Sequence, residues 1–276
     1  MNPVFLEIGS LQIRYYGLMY AMGILAAYFL IKRDLSWAKA QVDADEMFNL
    51  IIYTFLGAIL GARAYYVLFN LDYYFGEKVP WYEFVAVWHG GLAIHGGLVT
   101  GPLTLFLVCH FRKYPFGRIS DLFAPTLLLA QALGRVGNFM NGDAHGIPTD
   151  LAWGVVFPYG PAAHEFPGIP LHPVMFYEAI LDVLGFALLY SIRKKHFRPG
   201  FISALYVVIY GVIRFVASFF RADDLYFMGL RAPHVVSILG IIGALAVILV
   251  LRLFEQEKAP APKKEQQFLP KRQWKM

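Results

Sequence analysis

The sequence predicts an all-α integral membrane protein with about seven transmembrane helices, its N-terminus outside and its C-terminus in the cytoplasm. Three observations carry this. Of the 276 residues, 58% are hydrophobic and only 16% charged, where soluble domains carry about 25% charge, and mean hydropathy is +0.52. Seven apolar stretches lie at 15–31, 48–69, 92–111, 122–139, 174–192, 201–220 and 235–254, each close to the roughly 20 residues that a span needs. Finally, the lysines and arginines alternate between connections. Lys32, Arg33 and Lys39, then Arg112, Lys113 and Arg118, then Arg193, Lys194, Lys195 and Arg198, then the tail from Arg252 fall on one side. Only Arg14, Lys78, Arg221 and Arg231 fall on the other, which by the positive-inside rule orients the chain and makes the number of spans odd.

The first stretch follows a leader with no basic n-region and no small-residue cleavage site, so it reads as a retained helix and not a signal peptide. In the second, Gly57 and Gly61 of GAILG have the spacing of a helix-packing seam. The third opens on HGGLAIHGG and ends near Cys109, the sole cysteine. One cysteine excludes a disulfide framework and any cysteine-ligated metal site, and this one lies far from the polar residues described below. The fourth carries GRVGN and leads into 141–172, the longest connection, which has no Lys or Arg and is expected to form a small extracytoplasmic cap. Residues 1–254 thus read as one transmembrane domain and 255–276 as a basic cytoplasmic tail, polar and Pro/Lys-rich, expected to stay disordered against anionic headgroups. Phe5, Trp81, Trp88 and Trp153 are expected in the interfacial aromatic belts.

An arginine inside a span costs on the order of 3 kcal/mol or more, so Arg63, Arg135 and Arg214 need a reason. Counted from the cytoplasmic ends of their stretches, all three stand about 20 Å up, in the outer third, the level at which Tyr16 and His95 also fall. Glycines surround them: Gly90, Gly91, Gly96 and Gly97 beside His95, and Gly134, Gly137, Gly142 and Gly146 around the signature-like GRVGNFMNGDAHG. Glycine-broken helix ends with free N–H groups, together with guanidinium groups, favour a phosphate. A lipid or anion transporter could use the same plane; it needs polar access from both faces, and the inner halves of these stretches carry no comparable charge cluster. No GxSxG, HExxH, Walker loop, dinucleotide fingerprint or aspartate-rich array is present, which removes the hydrolase, zincin and nucleotide-dependent classes that those motifs mark. No metal, cofactor or nucleic acid is expected.

The run GRVGNFMNGDAHG (134–146) resembles the signature of bacterial prolipoprotein diacylglyceryl transferases. YYGLMY (15–20), GARAYYVLF (61–69), HGGLAIHGG (89–97), HPVMFYE (172–178), YGVIRF (210–215) and FFRADD (219–224) are similar to further segments of that family. The resemblance implies an enzyme of the bacterial inner membrane, with phosphatidylglycerol and the lipobox cysteine of prolipoprotein signal peptides as its substrates. It would transfer the sn-1,2-diacylglyceryl group to the thiol, forming a thioether and releasing glycerol phosphate, the first step of lipoprotein maturation. By the same resemblance His95, Arg135, Arg214 and Tyr16 are the expected catalytic residues. Arg135, Asn138, Asn141, Asp143, Gly146, Arg63 and Tyr210 are the expected substrate contacts. His95, a base or essential polar group by that resemblance, would take or relay the thiol proton, since an unperturbed imidazole titrates at about 6.5 and a thiol at about 8.5. Two departures stand out: Asp143 occupies a position where some members have Glu, and Ser218 stands one helical turn after Arg214 where many have an acid. Arg214 is thereby expected to lack its i+4 carboxylate, with Asp223 or Asp224 as substitutes.

Overall fold

The computed structural model describes residues 3–9, 11–76, 79–222, 225–227 and 229–256. Residues 257–276 of the expected tail, and Asp223 and Asp224, lie outside the described residues. The leader forms an antiparallel hairpin, β1 (Val4–Ile8) and β2 (Leu11–Arg14). Its apolar side chains Phe5, Leu6 and Ile8 are exposed, as are Trp81, Trp88 and Trp153, the state that interfacial aromatics require.

Helices follow in order: α1 (Tyr15–Ala38), α2 (Ala44–Leu68), the short α3 (Leu71–Tyr74), α4 (Ile94–Arg112), α5 (Phe116–Asn141), the short α6 (Pro161–Glu165), α7 (Val174–Ile192), α8 (Phe201–Ser218) and α9 (Ala232–Val250). Six of the long ones, all but α5, are long and apolar enough to cross a membrane. The seventh, α5, has 26 residues, about 39 Å. It starts six residues before the apolar stretch that announces it, because Arg118 and Asp121 belong to its first turns and interrupt the apolar run. Helix α1 likewise runs past Ile31 to Ala38 and ends in a left-handed Lys39. The count of about seven holds, with a central helix less apolar than the rest.

That polarity follows from position: α5 is the helix on which α1, α7 and α8 pack. Helix α2 pairs with α4, and here the seam predicted at Gly57 and Gly61 is found. A Cβ on Gly61 would come within 1.9 Å of Thr100 Oγ1 and one on Gly57 within 2.1 Å of Thr104 Oγ1. Thr100 Oγ1 donates to the Gly57 carbonyl at 2.9 Å, so the close approach also satisfies a hydroxyl inside the apolar layer. An apolar cluster of Ile31, Met47, Leu50, Cys109, Ile119 and Phe123 joins α1, α2, α4 and α5 at the end of the bundle rich in Lys and Arg.

At that same end Asp121 of α5 fastens the start of α8. Its carboxylate accepts from the Gly200 and Ser203 backbone N–H groups and from the Ser203 hydroxyl, each at 2.8 Å. This caps from another helix the orphan donors that α8's own Gly200 leaves open. Asp34 and Arg193 form a two-pronged ion pair nearby, at 2.6 and 3.1 Å. The basic end is therefore less dry than the sequence suggests; these charges neutralise one another between helix ends.

At the opposite end, residues 141–172 fold over α5 and α7. Isolated bridges tie Pro148 and Val155 to Leu171 and Gly146 to Arg221, over a small core of Phe157, Ala162, Leu171 and Met175.

Candidate functional site

Two connected polar clusters fill the bundle at the cap end. The first is built on the chain reversal after α5. Gly142, at φ +70, ends the helix in the left-handed region, where glycine bears no steric cost, and this returns Asp143 toward the side chains of the last turn. The Asp143 carboxylate accepts from Tyr16 Oη at 2.7 and 2.8 Å, from Asn138 Nδ2 at 2.6 Å and from Asn141 Nδ2 at 2.8 Å. Asn138 Nδ2 also donates to Tyr16 Oη at 2.5 Å. Tyr16 reaches this point because Gly137 has no side chain: a Cβ there would lie 2.8 Å from the Tyr16 ring.

Arg135 links this cluster to the second. Its Nη1 donates to Asn138 Oδ1 at 3.3 Å, and its Nη2 is ion-paired with Glu178 Oε2. Glu178, on the second turn of α7, is fully buried. It also takes Arg221 Nη1 at 2.9 Å and stands 3.9 Å from Arg214 Nη1. Three guanidinium groups from α5, α8 and the segment after α8 thus meet at one buried carboxylate. Tyr210, a turn before Arg214, lies within electrostatic reach of Arg135, Glu178 and Arg214 and stacks on Tyr206. One turn beyond Glu178 on α7, Asp182 is also fully buried and within reach of Arg135.

Arg135, Asn138, Asn141, Asp143, Tyr16, Arg214 and Tyr210 are therefore brought together. Arg63 and His95 are not, and Gly146 meets the clusters only through its backbone bridge to Arg221. Arg63 is buried under the segment that precedes α4, where its Nε donates to the Phe84 carbonyl at 3.3 Å, Nη1 to those of Gly90 and Gly91 at 2.6 and 3.0 Å, and Nη2 to that of Glu83. Tyr74 covers it at 5.4 Å, and burial raises the Tyr74 phenol pKa. Gly90 and Gly91, both at positive φ, turn their carbonyls to this arginine, and the Gly90 N–H is taken by the Val87 carbonyl. Gly96 and Gly97 instead let α4 approach the backbone of α2 at Gly61 and Ala58. His95 sits on the first turn of α4, exposed, with its ring 5.9 Å from that of Tyr65; among the described residues no hydrogen bond or ion pair joins it to the clusters. Gly146 is a packing position, since a Cβ there would lie 2.4 Å from the His172 carbonyl oxygen.

The carboxylate expected for Arg214 is present, but it comes from Glu178 of another helix, while Ser218 is buried with its carbonyl accepting from Arg231. Glu178, Asp182 and Arg221 are the residues that sequence reasoning passed over. A signal existed: two acids four residues apart in an otherwise apolar span face one side of the helix and require partners inside the bundle.

The sequence profile of the family described as prolipoprotein diacylglyceryl transferase matches residues 3–250. The phosphatidylglycerol–prolipoprotein diacylglyceryl transferase of Fusobacterium nucleatum is 38% identical over 276 aligned residues, covering 87% of this chain and 94% of its own. Its namesake in Gloeobacter violaceus is 37% identical, over 94% and 96% of the two chains. The transferase 1 of Clostridium perfringens is 37% identical over 91% and 95%. With the profile and these relatives spanning nearly all of the described bundle, the chain belongs to the prolipoprotein diacylglyceryl transferase family.

Proposed function

We propose that this chain transfers the sn-1,2-diacylglyceryl group of phosphatidylglycerol to the lipobox cysteine of a prolipoprotein, at the outer face of the bacterial inner membrane. The observation that carries this reading is the meeting of Arg135 and Arg214 on Glu178 in the interior of an apolar bundle. An anion already sits between the two guanidinium groups, and a phosphodiester has the charge and the paired oxygens to replace it. In a water-poor site such pairing is strong, and it grows as charge develops on the departing phosphate.

In this reading His95 removes the thiol proton. The thiolate sulfur attacks the glyceryl carbon that carries the phosphate, a C–S bond forms, and the C–O bond breaks with its electron pair passing to the phosphate oxygen. Glycerol phosphate leaves, and the proton held by His95 passes to it or to solvent. Asp143, held by Tyr16, Asn138 and Asn141, fixes the end of α5 and with it the height of Arg135. The outward orientation is supported by the basic residues at the opposite end, Arg112, Arg118, Arg193 and Arg198 among them.

Incubating the purified protein with phosphatidylglycerol vesicles and a lipobox peptide tests the reading by peptide mass and released glycerol phosphate. The expected result is a diacylglyceryl gain on the cysteine that is lost in Arg135→Ala and His95→Ala. A folded wild-type protein giving no mass gain overturns it.

A further inference from the structure

One polar layer of the bundle takes no part in the steps above. Arg135 and Glu178 are in contact on antiparallel helices, as Leu128 against Gly185 further along the same pair shows. Gln131, four residues before Arg135, and Asp182, four after Glu178, therefore lie at a common level about 6 Å deeper. Asp182 is within reach of Arg135 and of Tyr206 on α8, and Gln131 faces the same Tyr206 hydroxyl. Both Asp182 oxygens and Gln131 Oε1 are buried, and none has a hydrogen-bond donor among the described residues. Arg135 Nε is also buried without an acceptor; turned onto Asp182 it would satisfy one of the three acceptors and leave two. Next to them on α5, a Cβ added to Gly134 would meet no atom within 4 Å, so the wall between Gln131 and Asn138 borders open space.

Buried acceptors without donors are costly, and more so when charged, so a layer that holds three of them side by side is matched to a ligand rich in donors. We propose that Asp182, with Gln131, recognises the glycerol headgroup of the lipid substrate through its two hydroxyls. This rests on the transferase reading. With the phosphate between Arg135 and Arg214, the headgroup glycerol, extended inward over the roughly five bonds from phosphorus to its terminal hydroxyl, spans about 6 Å and comes to the level of Asp182. Two vicinal hydroxyls can donate to the two carboxylate oxygens as a pair. The layer thus reads the leaving group and selects the lipid class, while the arginines above it bind the phosphate common to all phospholipids.

The test compares kcat/KM for phosphatidylglycerol with that for phosphatidylpropanol, which keeps the phosphodiester and lacks both hydroxyls. The wild-type protein is expected to prefer phosphatidylglycerol by roughly 10- to 100-fold, because a site built for hydroxyls leaves its own acceptors unpaired when they are missing. Asp182→Asn is expected to shrink that preference to about threefold or less, and Gln131→Met to reduce it several-fold. Equal use of the two lipids by the wild-type protein overturns the proposal whatever the variants do. So does an undiminished preference in those variants that elute as folded, monodisperse protein. Absence of transfer from phosphatidylglycerol itself overturns the transferase reading, and this one with it.

Discussion

Replacing Glu178 by glutamine removes the anion on which three arginines converge. Glu178 is fully buried; its Oε1 takes Arg221 at 2.9 Å and faces Arg214 at 3.9 Å, and its Oε2 takes Arg135. Glutamine keeps one acceptor oxygen, but it turns an amide with two N–H donors toward guanidinium groups that only donate. Breaking a buried ion pair by removing one partner costs about 3–5 kcal/mol. At roughly 2–4 °C per kcal/mol for a chain of this order of size, the unfolding midpoint in detergent should fall by about 6–20 °C. Phosphatidylglycerol should return part of that loss and stabilise Glu178→Gln more than the parent, because its phosphate restores an anion to the same guanidinium groups and binds the folded state alone. The measurement is the thermal unfolding midpoint of parent and variant, each with and without the lipid. A variant midpoint within about 2 °C of the parent would refute the reasoning, as would equal stabilisation of both proteins by the lipid.

Arg135→Ala should abolish nearly all transfer while the protein stays folded, and Arg135→Lys should recover little, since an ammonium cannot reach Asn138 and Glu178 in the forked geometry of a guanidinium; steady-state transfer rates beside size-exclusion profiles check both. Arg63→Ala should act on stability, because it releases the carbonyls of Glu83, Phe84, Gly90 and Gly91. Its unfolding midpoint should fall, with KM for the lipid changed less than about threefold in whatever fraction folds, a much smaller effect than loss of a direct charged contact to the phosphate would give. Gly146→Ala should cost about 1–3 kcal/mol through overpacking, its Cβ being driven against the His172 carbonyl, and the midpoint of thermal unfolding reports it.

Much of the bundle was legible because a span must be apolar over its whole length, and α7 (Val174–Ile192) begins and ends where its apolar stretch does. Helix α5 was legible only in part, since a helix surrounded by other helices can carry Arg118 and Asp121 where partners await them. The leader hairpin went unseen: β1 and β2 are four or five residues each, too short for alternation to stand out beside the adjacent span. Within the site, the local pieces were readable. Asn138, Asn141 and Asp143 fall within six residues of one another, so their convergence needs only the turn at Gly142. Depth arithmetic placed Arg63, Arg135 and Arg214 at one level, but level says nothing of the direction a side chain takes around its helix. Arg63 points into the α2–α4 half of the molecule and the other two into the half around α5. Glu178 escaped because its contacts are 36 to 43 residues away in the chain, and periodicity within α7 cannot name the helix that α7 faces.

The bond network at Asp121 has a metric consequence. Asp121 holds Gly200 at the start of α8, and counting along each helix from that fastening gives 14 residues to Arg135 on α5 and 14 to Arg214 on α8. Both guanidinium-bearing positions thus stand about 21 Å from a shared origin, on two rulers with a common zero. One residue inserted between Asp121 and Arg135 would raise one mark by about 1.5 Å and swing it about 100° around its axis. The same insertion made in the connection between α7 and Gly200 would leave both marks where they are. The spacing of these two arginines at one end of the bundle is thus gauged by a single carboxylate at the other, and the two helices between them tolerate substitution far better than a change of length.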